Sequence, residues 1–288
     1  MRLTLGTVQF GLPYGIANQT GQVSLAQARS MLTLAADQGI DTLDTAIAYG
    51  DSETRLGELG IGKFKTITKL PALPEGVLDV DVWVQNQVTD SMARLGTSRL
   101  YGLLLHRSEQ LLGSQGHALF QSLQDLKSSG LVRKIGISVY SPHELDAIFS
   151  RFQLDLVQAP FNLVDRRMQS SGWLRWLKSA GVEVHTRSAF LQGLLLMSKL
   201  EQSARFSAWS ETWERWHQWL HDHNVSAVRA ALSFPLSFSE VDRVVVGADG
   251  VDQLAELIDT AKEAPNFELP DLSCDSEYLI NPSCWPKR

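Results

Sequence analysis

The sequence predicts an α/β fold, a (β/α)8 or TIM barrel in a single domain spanning residues 1–288, on three observations. The length of 288 residues suits one such barrel, which commonly needs about 250. Short apolar runs alternate with helix-length amphipathic segments from end to end, as parallel strands joined by helical crossovers require. No linker rich in Gly, Pro or Ser divides the chain, and no short repeat is visible.

Strands are expected at Arg2–Leu5, Thr42–Asp44, Thr66–Lys69, Tyr101–Leu105, Lys134–Ser138, Leu156–Ala159, Glu183–Arg187 and Arg243–Val246. Eight such units close into a barrel, whereas an open doubly wound sheet usually has fewer. Between them, Ser24–Asp37 starts at a serine cap and stops at Gly39, and Val82–Leu95 ends before Gly96. Phe120–Ser128 ends at Gly130. Ser141-Pro142 opens a helix to about Phe149, with proline at the first position, where its missing N–H is harmless. Trp173–Ser179 stops at Gly181, and Val251–Thr260 is the last barrel helix, leaving a C-terminal tail of about residues 262–288. Trp209, Trp213, Trp216 and Leu220 recur at helical spacing, with Trp219 on a neighbouring face. They read as a packed amphipathic helix or, alternatively, as rings that wall a substrate site.

Hydrophobic residues at 44% and charged residues at 20% allow a large core in a chain that stays in solution. The net charge of −6 comes from scattered acids. There is no basic stripe for nucleic acid and no basic cluster for a membrane surface, so a small-molecule partner is expected. Met1–Gly6 runs straight into a strand without a signal-like apolar stretch, which suggests a cytoplasmic protein. A barrel is self-sufficient, so a monomer is expected, with a homodimer as the alternative. Cys274 and Cys284, both in the tail, are expected as reduced thiols. No metal is expected either. His217 and His221 have a compatible helical spacing, but Glu214 is a poor third ligand.

A barrel of this kind carries its chemistry at the C-terminal ends of its strands. Those ends read Asp44, Lys69, His106, Ser138, Gln158 and Arg187-Ser188, and Tyr49 follows Asp44 in the next loop. Singly, each has a plain reading as a cap, a solvated charge or a structural histidine. Gathered at one mouth they form an acid–base catalyst. Tyrosine ordinarily titrates near pH 10, so it needs help to exchange protons at neutral pH. An adjacent ammonium favours the phenolate, and a carboxylate keeps that lysine charged and in place. Tyr49 would donate to a carbonyl oxygen as hydride arrives, and His106 would hydrogen-bond the same oxygen.

The set Asp44, Tyr49, Lys69 and His106 resembles the catalytic tetrad of the aldo-keto reductase superfamily. The motif Gly39-Ile40-Asp41-Thr42-Leu43-Asp44-Thr45-Ala46 through Tyr49-Gly50 carries the likeness. Further matches are Leu5-Gly6-Thr7, Arg133 through Ser138, Gln158 through Asn162, Ser188 with Gln192 through Leu195, and Val246 through Ala248 with Gln253. The resemblance implies carbonyl reduction or alcohol oxidation with a nicotinamide cofactor, NADP(H) first and NAD(H) as the alternative. A cofactor-binding regulatory protein of the same fold, with little turnover, is the other reading it leaves. By family correspondence Ser138 and Gln158 would hold the carboxamide, while Ser188, Phe190, Leu191 and Gly193 would line the pyrophosphate. Gly247, Ala248, Asp249 and Gln253 would approach the adenosine end, with Gly6, Thr7 and Asp44 also at the cofactor site. A likeness of Val184–Leu196 and Gly6–Gly11 to a bacterial subgroup linked to surface polysaccharides suggests a sugar-derived substrate.

The sequence departs from the family in four places. Val139 stands where many relatives carry Asn, and Arg187 where many stack an aromatic ring on the nicotinamide. Arg187 would stack in its place or pair with a carboxylate. The segment around Asp249 offers acids and no base for a 2′-phosphate, which leaves Lys199 or Arg205 to compensate and points to weak NADP discrimination. Little room precedes Leu3 for the hairpin that plugs the barrel bottom in many relatives.

Overall fold

Eight parallel strands alternate with helices and close on themselves in sequence order. They are β1 Leu3–Gly6, β2 Thr42–Asp44, β3 Lys65–Leu70, β4 Leu100–Leu105, β5 Val132–Ser138, β6 Leu156–Pro160, β7 Glu183–Arg187 and β8 Arg243–Val246. The seam is sealed by β8 against β1, with Leu3 opposite Val244 and Leu5 opposite Val246. The computed structural model describes residues 1–202, 204–263 and 267–285, with the side chains of 204 and 205 left outside that description. The fold is the expected (β/α)8 barrel. Several strands run a residue or two beyond the apolar runs, because backbone pairing continues where the side-chain pattern has already faded, as at Leu100 opposite Val132.

The helices follow from their caps. Leu25–Asp37 begins where Ser24 Oγ accepts the Gln27 amide at 3.3 Å, and the chain leaves it through Gly39 at φ +81°. The helix Val80–Leu95 starts two residues earlier than the periodicity suggests, because Asp79 accepts the Val82 amide at 3.0 Å. Gly116–Ser128 likewise begins before Phe120. In His143–Phe149 the proline lies at the N-cap rather than in the first turn. There Glu144 accepts the amides of Tyr140 and Ser141 at 2.7 and 2.8 Å. Trp173–Ser179 matches its expected span, and the last barrel helix extends to Lys262.

Apart from one-turn helices, two helices among the described residues lack a sequence signal. Ser52–Leu59 buries polar Ser52 and Glu53, and Ala227–Leu236 is apolar on nearly every face and contains Pro235. The tryptophans form the inner face of Ser210–His223. Trp213 and Trp216 are buried, and Trp216 donates to the Leu195 carbonyl at 3.0 Å. The packed-helix reading holds for these rings.

Helix faces cover the outside of the barrel with leucine, isoleucine and valine. Ile67, Leu104 and Leu156, with Tyr101 against them, form a separate small cluster made of strand residues, which fills the barrel interior. The tail folds back onto the loop after β6. Arg166 donates to the Pro270 carbonyl at 2.6 Å, the Cys274 amide donates to the Val164 carbonyl at 2.9 Å, and Arg167 pairs with Glu277. Leu272, Leu279, Ile280 and Trp285 are buried there, while Cys274 and Cys284 keep free thiols. Among the described residues no helix is long and apolar enough to cross a membrane, and no three His, Cys, Asp or Glu side chains gather as metal ligands.

Candidate active site

A cavity of about 580 Å³ opens where the strands end. The first determinant of its geometry is how the Tyr49 loop is seated. The Thr7 amide donates to the Asp44 carbonyl at 2.9 Å, and Ser52 Oγ reaches the Thr7 carbonyl at 2.9 Å. Gly11 and Gly50 let this loop lie against the start of the chain. A Cβ on Gly11 would fall 1.8 Å from the Tyr49 carbonyl oxygen, and one on Gly50, at φ +57°, 2.4 Å from the Gly11 carbonyl oxygen. Below, Glu53 accepts from Thr68 at 2.6 Å and Ser91 at 2.7 Å and pairs with Arg94 at 2.7 Å, tying the loop helix to β3.

The four tetrad residues converge. Lys69 Nζ lies 2.6 Å from Asp44 Oδ1 and 3.0 Å from the Thr45 carbonyl oxygen, with the lysine side chain 1% exposed. It also sits 5.2 Å from the centre of the Tyr49 ring, and His106 stands edge-on to that ring at 6.0 Å. Burial works against the Lys69 charge, but Asp44 and Tyr49 outweigh it and raise the lysine pKa. The His106 pKa falls to about 4, chiefly through burial, then through the positive charges of Lys69 and Arg187. The imidazole is therefore neutral at neutral pH. Asp44, Tyr49 and His106 line the cavity, whereas Lys69 lies behind Asp44 and acts on it from beneath.

Of the remaining expected positions, Gly6, Thr7, Ser138, Gln158, Arg187, Ser188, Phe190, Gly193, Gly247, Asp249 and Gln253 line the same cavity. Leu191 and Ala248 do not; their side chains are turned into the core, which leaves only their backbone to face a ligand. Gln158 donates to Asp44 Oδ2 at 2.7 Å and accepts weakly from Ser138 at 3.5 Å. Arg187 does not pair with a carboxylate among the described residues. Its guanidinium lies over the Tyr140 ring at 4.7 Å and donates to the Val139 carbonyl at 3.0 Å. Lys199 pairs with Glu214 and does not line the cavity, while the Arg205 side chain lies outside the described residues. None of the tryptophans is a cavity wall among the described residues.

Several further residues line the cavity without having been expected there, namely Gln9, Tyr14, Asn18, Tyr140 and Gln192, of which Gln9 and Gln192 lie in runs that carry the family likeness. Gln9 lies in the short helix Val8–Gly11 and Gln192 in the 3₁₀ turn Leu191–Leu196, while Tyr14, Asn18 and Tyr140 sit on loops at the mouth. Asn18 donates to Asp249 at 3.0 Å, the Ile16 amide donates to the Gln192 carbonyl at 3.2 Å, and Gln192 donates to the Tyr14 hydroxyl at 3.1 Å. The loop after β7 is conformationally unusual. Ser188, Leu191, Gln192 and Gly193 all have positive φ, at 62°, 48°, 53° and 94°. Non-glycine residues rarely adopt this conformation, and such turns cup backbone N–H groups that suit anions. Gln9 Oε1 is buried and has no hydrogen-bond partner among the described residues, and a Cβ on Gly247 would fall 2.4 Å from Gln9 Nε2. The cavity thus combines a tyrosine beside a buried lysine–carboxylate pair, a cupped loop and an orphaned acceptor.

The chain is similar to several known proteins. A D-threo-aldose 1-dehydrogenase from a Pseudomonas species is 28% identical over 289 aligned positions, covering 85% of this chain and 87% of that one. The oxidoreductase sirO of Leptosphaeria maculans is 24% identical across 72% of this chain and 65% of its own length. Among solved structures, the holo form of aldo-keto reductase AKR11C1 from Bacillus halodurans superposes with a TM-score of 0.73 at 20% identity, covering 92% and 88% of the two chains. The family model for the Aldo/keto reductase family matches residues 2–270, from the first strand through the last barrel helix into the tail, so the chain belongs to that family.

Proposed function

We propose that this protein is a nicotinamide-dependent oxidoreductase that interconverts a carbonyl group and an alcohol at the barrel mouth, with Tyr49 as its general acid and base. The observation that carries the reading is the buried Lys69–Asp44 pair beneath the Tyr49 ring, with neutral His106 beside it. In reduction, the Tyr49 hydroxyl donates its proton to the carbonyl oxygen; in oxidation, it takes the proton back. The Lys69 ammonium stabilises negative charge developing on the phenol oxygen, and Asp44 holds that ammonium in place. His106 donates a hydrogen bond to the same substrate oxygen from an uncharged ring, which keeps the tyrosine as the proton donor.

The residues present fit the cofactor that the family implies. Ser138 and Gln158 offer hydroxyl and amide groups for a carboxamide. The cupped run Ser188, Phe190, Leu191 and Gly193 offers backbone N–H groups for a pyrophosphate, with Leu191 acting through its backbone alone. Gly6, Thr7, Gly247, Asp249 and Gln253 border the rest, Ala248 could contribute only its backbone, and Gln9 Oε1 has no donor among the described residues. The bound nicotinamide supplies or accepts the hydride.

At the β8 end of the cavity the charged lining residues are Asp249 and Glu256. Burial raises the Asp249 pKa, a shift Asn18 opposes, yet neither acid welcomes an additional phosphate. NADH is therefore expected to bind about as well as NADPH. Fluorescence titration with both cofactors tests this, and a preference for NADPH of roughly a hundredfold, about 2.7 kcal/mol, would overturn it. The similarity to an aldose dehydrogenase supports a hydroxylated carbonyl substrate, such as a sugar derivative. For the reaction itself, Tyr49→Phe should lower kcat by about 10²–10⁴-fold while cofactor affinity is kept. Turnover unchanged in that variant rules out the mechanism. Tight cofactor binding by the unaltered protein with no turnover of any carbonyl would favour the regulatory reading.

A further inference from the structure

Arg187 stands at the end of β7, and among the described residues lining the cavity it alone carries a positive side chain. It is held in position with care. The guanidinium rests on the Tyr140 ring, one nitrogen donates to the Val139 carbonyl at 3.0 Å, and another reaches Ser188 Oγ at 3.3 Å. The Arg187 carbonyl accepts the Phe161 amide at 3.1 Å, and Asn162 donates to the Ser188 carbonyl at 3.0 Å. Tyr140 is steadied in turn, because Arg167 donates to its carbonyl at 2.9 Å while bound by Asp165 at 2.9 Å and by Glu277 of the tail.

A guanidinium has five N–H donors, so these two contacts leave several without a partner among the described residues. The charge is half-buried and no carboxylate neutralises it among the described residues. Such a cation is stabilised when an anion enters, and a flat fork suits a carboxylate or phosphate. Its location identifies which part of a ligand it meets. From the end of β7 the guanidinium leans past β6 to Val139 and Tyr140, which follow β5, the side of the barrel where β4 carries His106, and so turns away from Asp249 and Glu256 beyond β8.

We propose that the substrate carries a carboxylate or phosphate group a few bonds from its reacting carbonyl, and that Arg187, stacked on Tyr140, binds that group. This deepens the oxidoreductase reading and rests on it for the identity of the reacting end. The anion orients the carbonyl toward Tyr49 and His106 rather than taking part in proton transfer. Arg187 is thus a specificity-determining residue, and the aromatic position that it replaces is freed from stacking on the cofactor.

The test separates this claim from the reaction itself. Calorimetric titration of the cofactor-loaded protein with butyrate, propyl phosphate and neutral butyramide needs no turnover. The expectation is that butyrate or propyl phosphate binds roughly ten- to a hundredfold more tightly than butyramide, the range of a hydrogen bond to a charged group, and whichever is favoured identifies the anion. In Arg187→Met the advantage should vanish, and in Arg187→Lys part of it should return. Matched substrates extend the test, with kcat/KM expected higher for succinic semialdehyde than butyraldehyde, or for glyceraldehyde 3-phosphate than glyceraldehyde. Equal binding of the anionic and neutral probes by the unaltered protein overturns the proposal. So does an anionic preference that survives Arg187→Met while cofactor affinity drops, because Arg187 would then serve the cofactor. Loss of turnover for every aldehyde, with selective anion binding kept, counts against the reaction and not against the anion site.

Discussion

At the scale of single residues, the site depends on burying charges only in company. Lys69 and Asp44 are both buried, and each satisfies the other at 2.6 Å while Gln158 donates to Asp44 and the Thr45 carbonyl accepts from Lys69. His106 solves the same problem by staying neutral. Its folded pKa of about 4 lies below the ordinary value of 6.5, so between those values the unfolded chain takes up a proton that the folded chain refuses. The stability it contributes is complete above pH 6.5 and is lost as pH falls through that window toward 4. Urea titrations at several pH values should show His106→Asn losing less stability between pH 6.5 and 4 than the parent; an identical slope removes the histidine as the cause. The tetrad itself was legible because each member ends a strand or follows one. The Arg187–Tyr140 stack was not, since nothing in the run Ser138-Val139-Tyr140 says which ring a guanidinium across the barrel will choose.

Among the elements, legibility followed the clarity of each face. The helix Ser210–His223 could be read from the period of its tryptophans, yet the direction of those rings could not. They point into the core, with Trp216 stacked parallel to Trp219 at 6.1 Å and fully buried. Trp216→Ala is therefore expected to cost about 3–5 kcal/mol in urea unfolding while substrate KM barely moves. A raised KM at unchanged stability would mean that the ring reaches the substrate after all. Ser52–Leu59 escaped sequence reading for the opposite reason. Its buried positions include Glu53, a charge that looks like a solvent-facing residue until Thr68, Ser91 and Arg94 are seen around it. Pro142 shows how fine the margin is, since the same proline suits the cap and the first turn almost equally.

At the level of the whole molecule, the tail couples stability to the site. Leu272, Leu279, Ile280 and Trp285 are buried against the barrel, each worth roughly 1.5–3 kcal/mol when fully removed from water. Glu277 also braces Arg167, which holds the Tyr140 carbonyl beneath the Arg187 stack. Truncation after Lys262 should lower Tm by at least about 10 °C, on the order of 2–4 °C per kcal/mol for a chain of roughly this size, and raise substrate KM with it. A lowered Tm with unchanged KM would sever that link to the site. By itself the sequence determined the alternation of strands and helices, the barrel they close, and the strand-end residues able to do chemistry. Those are properties of local period and local residue type. Only the tertiary structure decided that Lys69 lies behind Asp44, that Gln9, Tyr14, Asn18 and Gln192 roof the cavity, and that Arg187 rests on Tyr140. The reason is distance along the chain. Gln158 reaches Asp44 across 114 residues and Asn18 reaches Asp249 across 231, contacts that exist only once β8 has closed on β1.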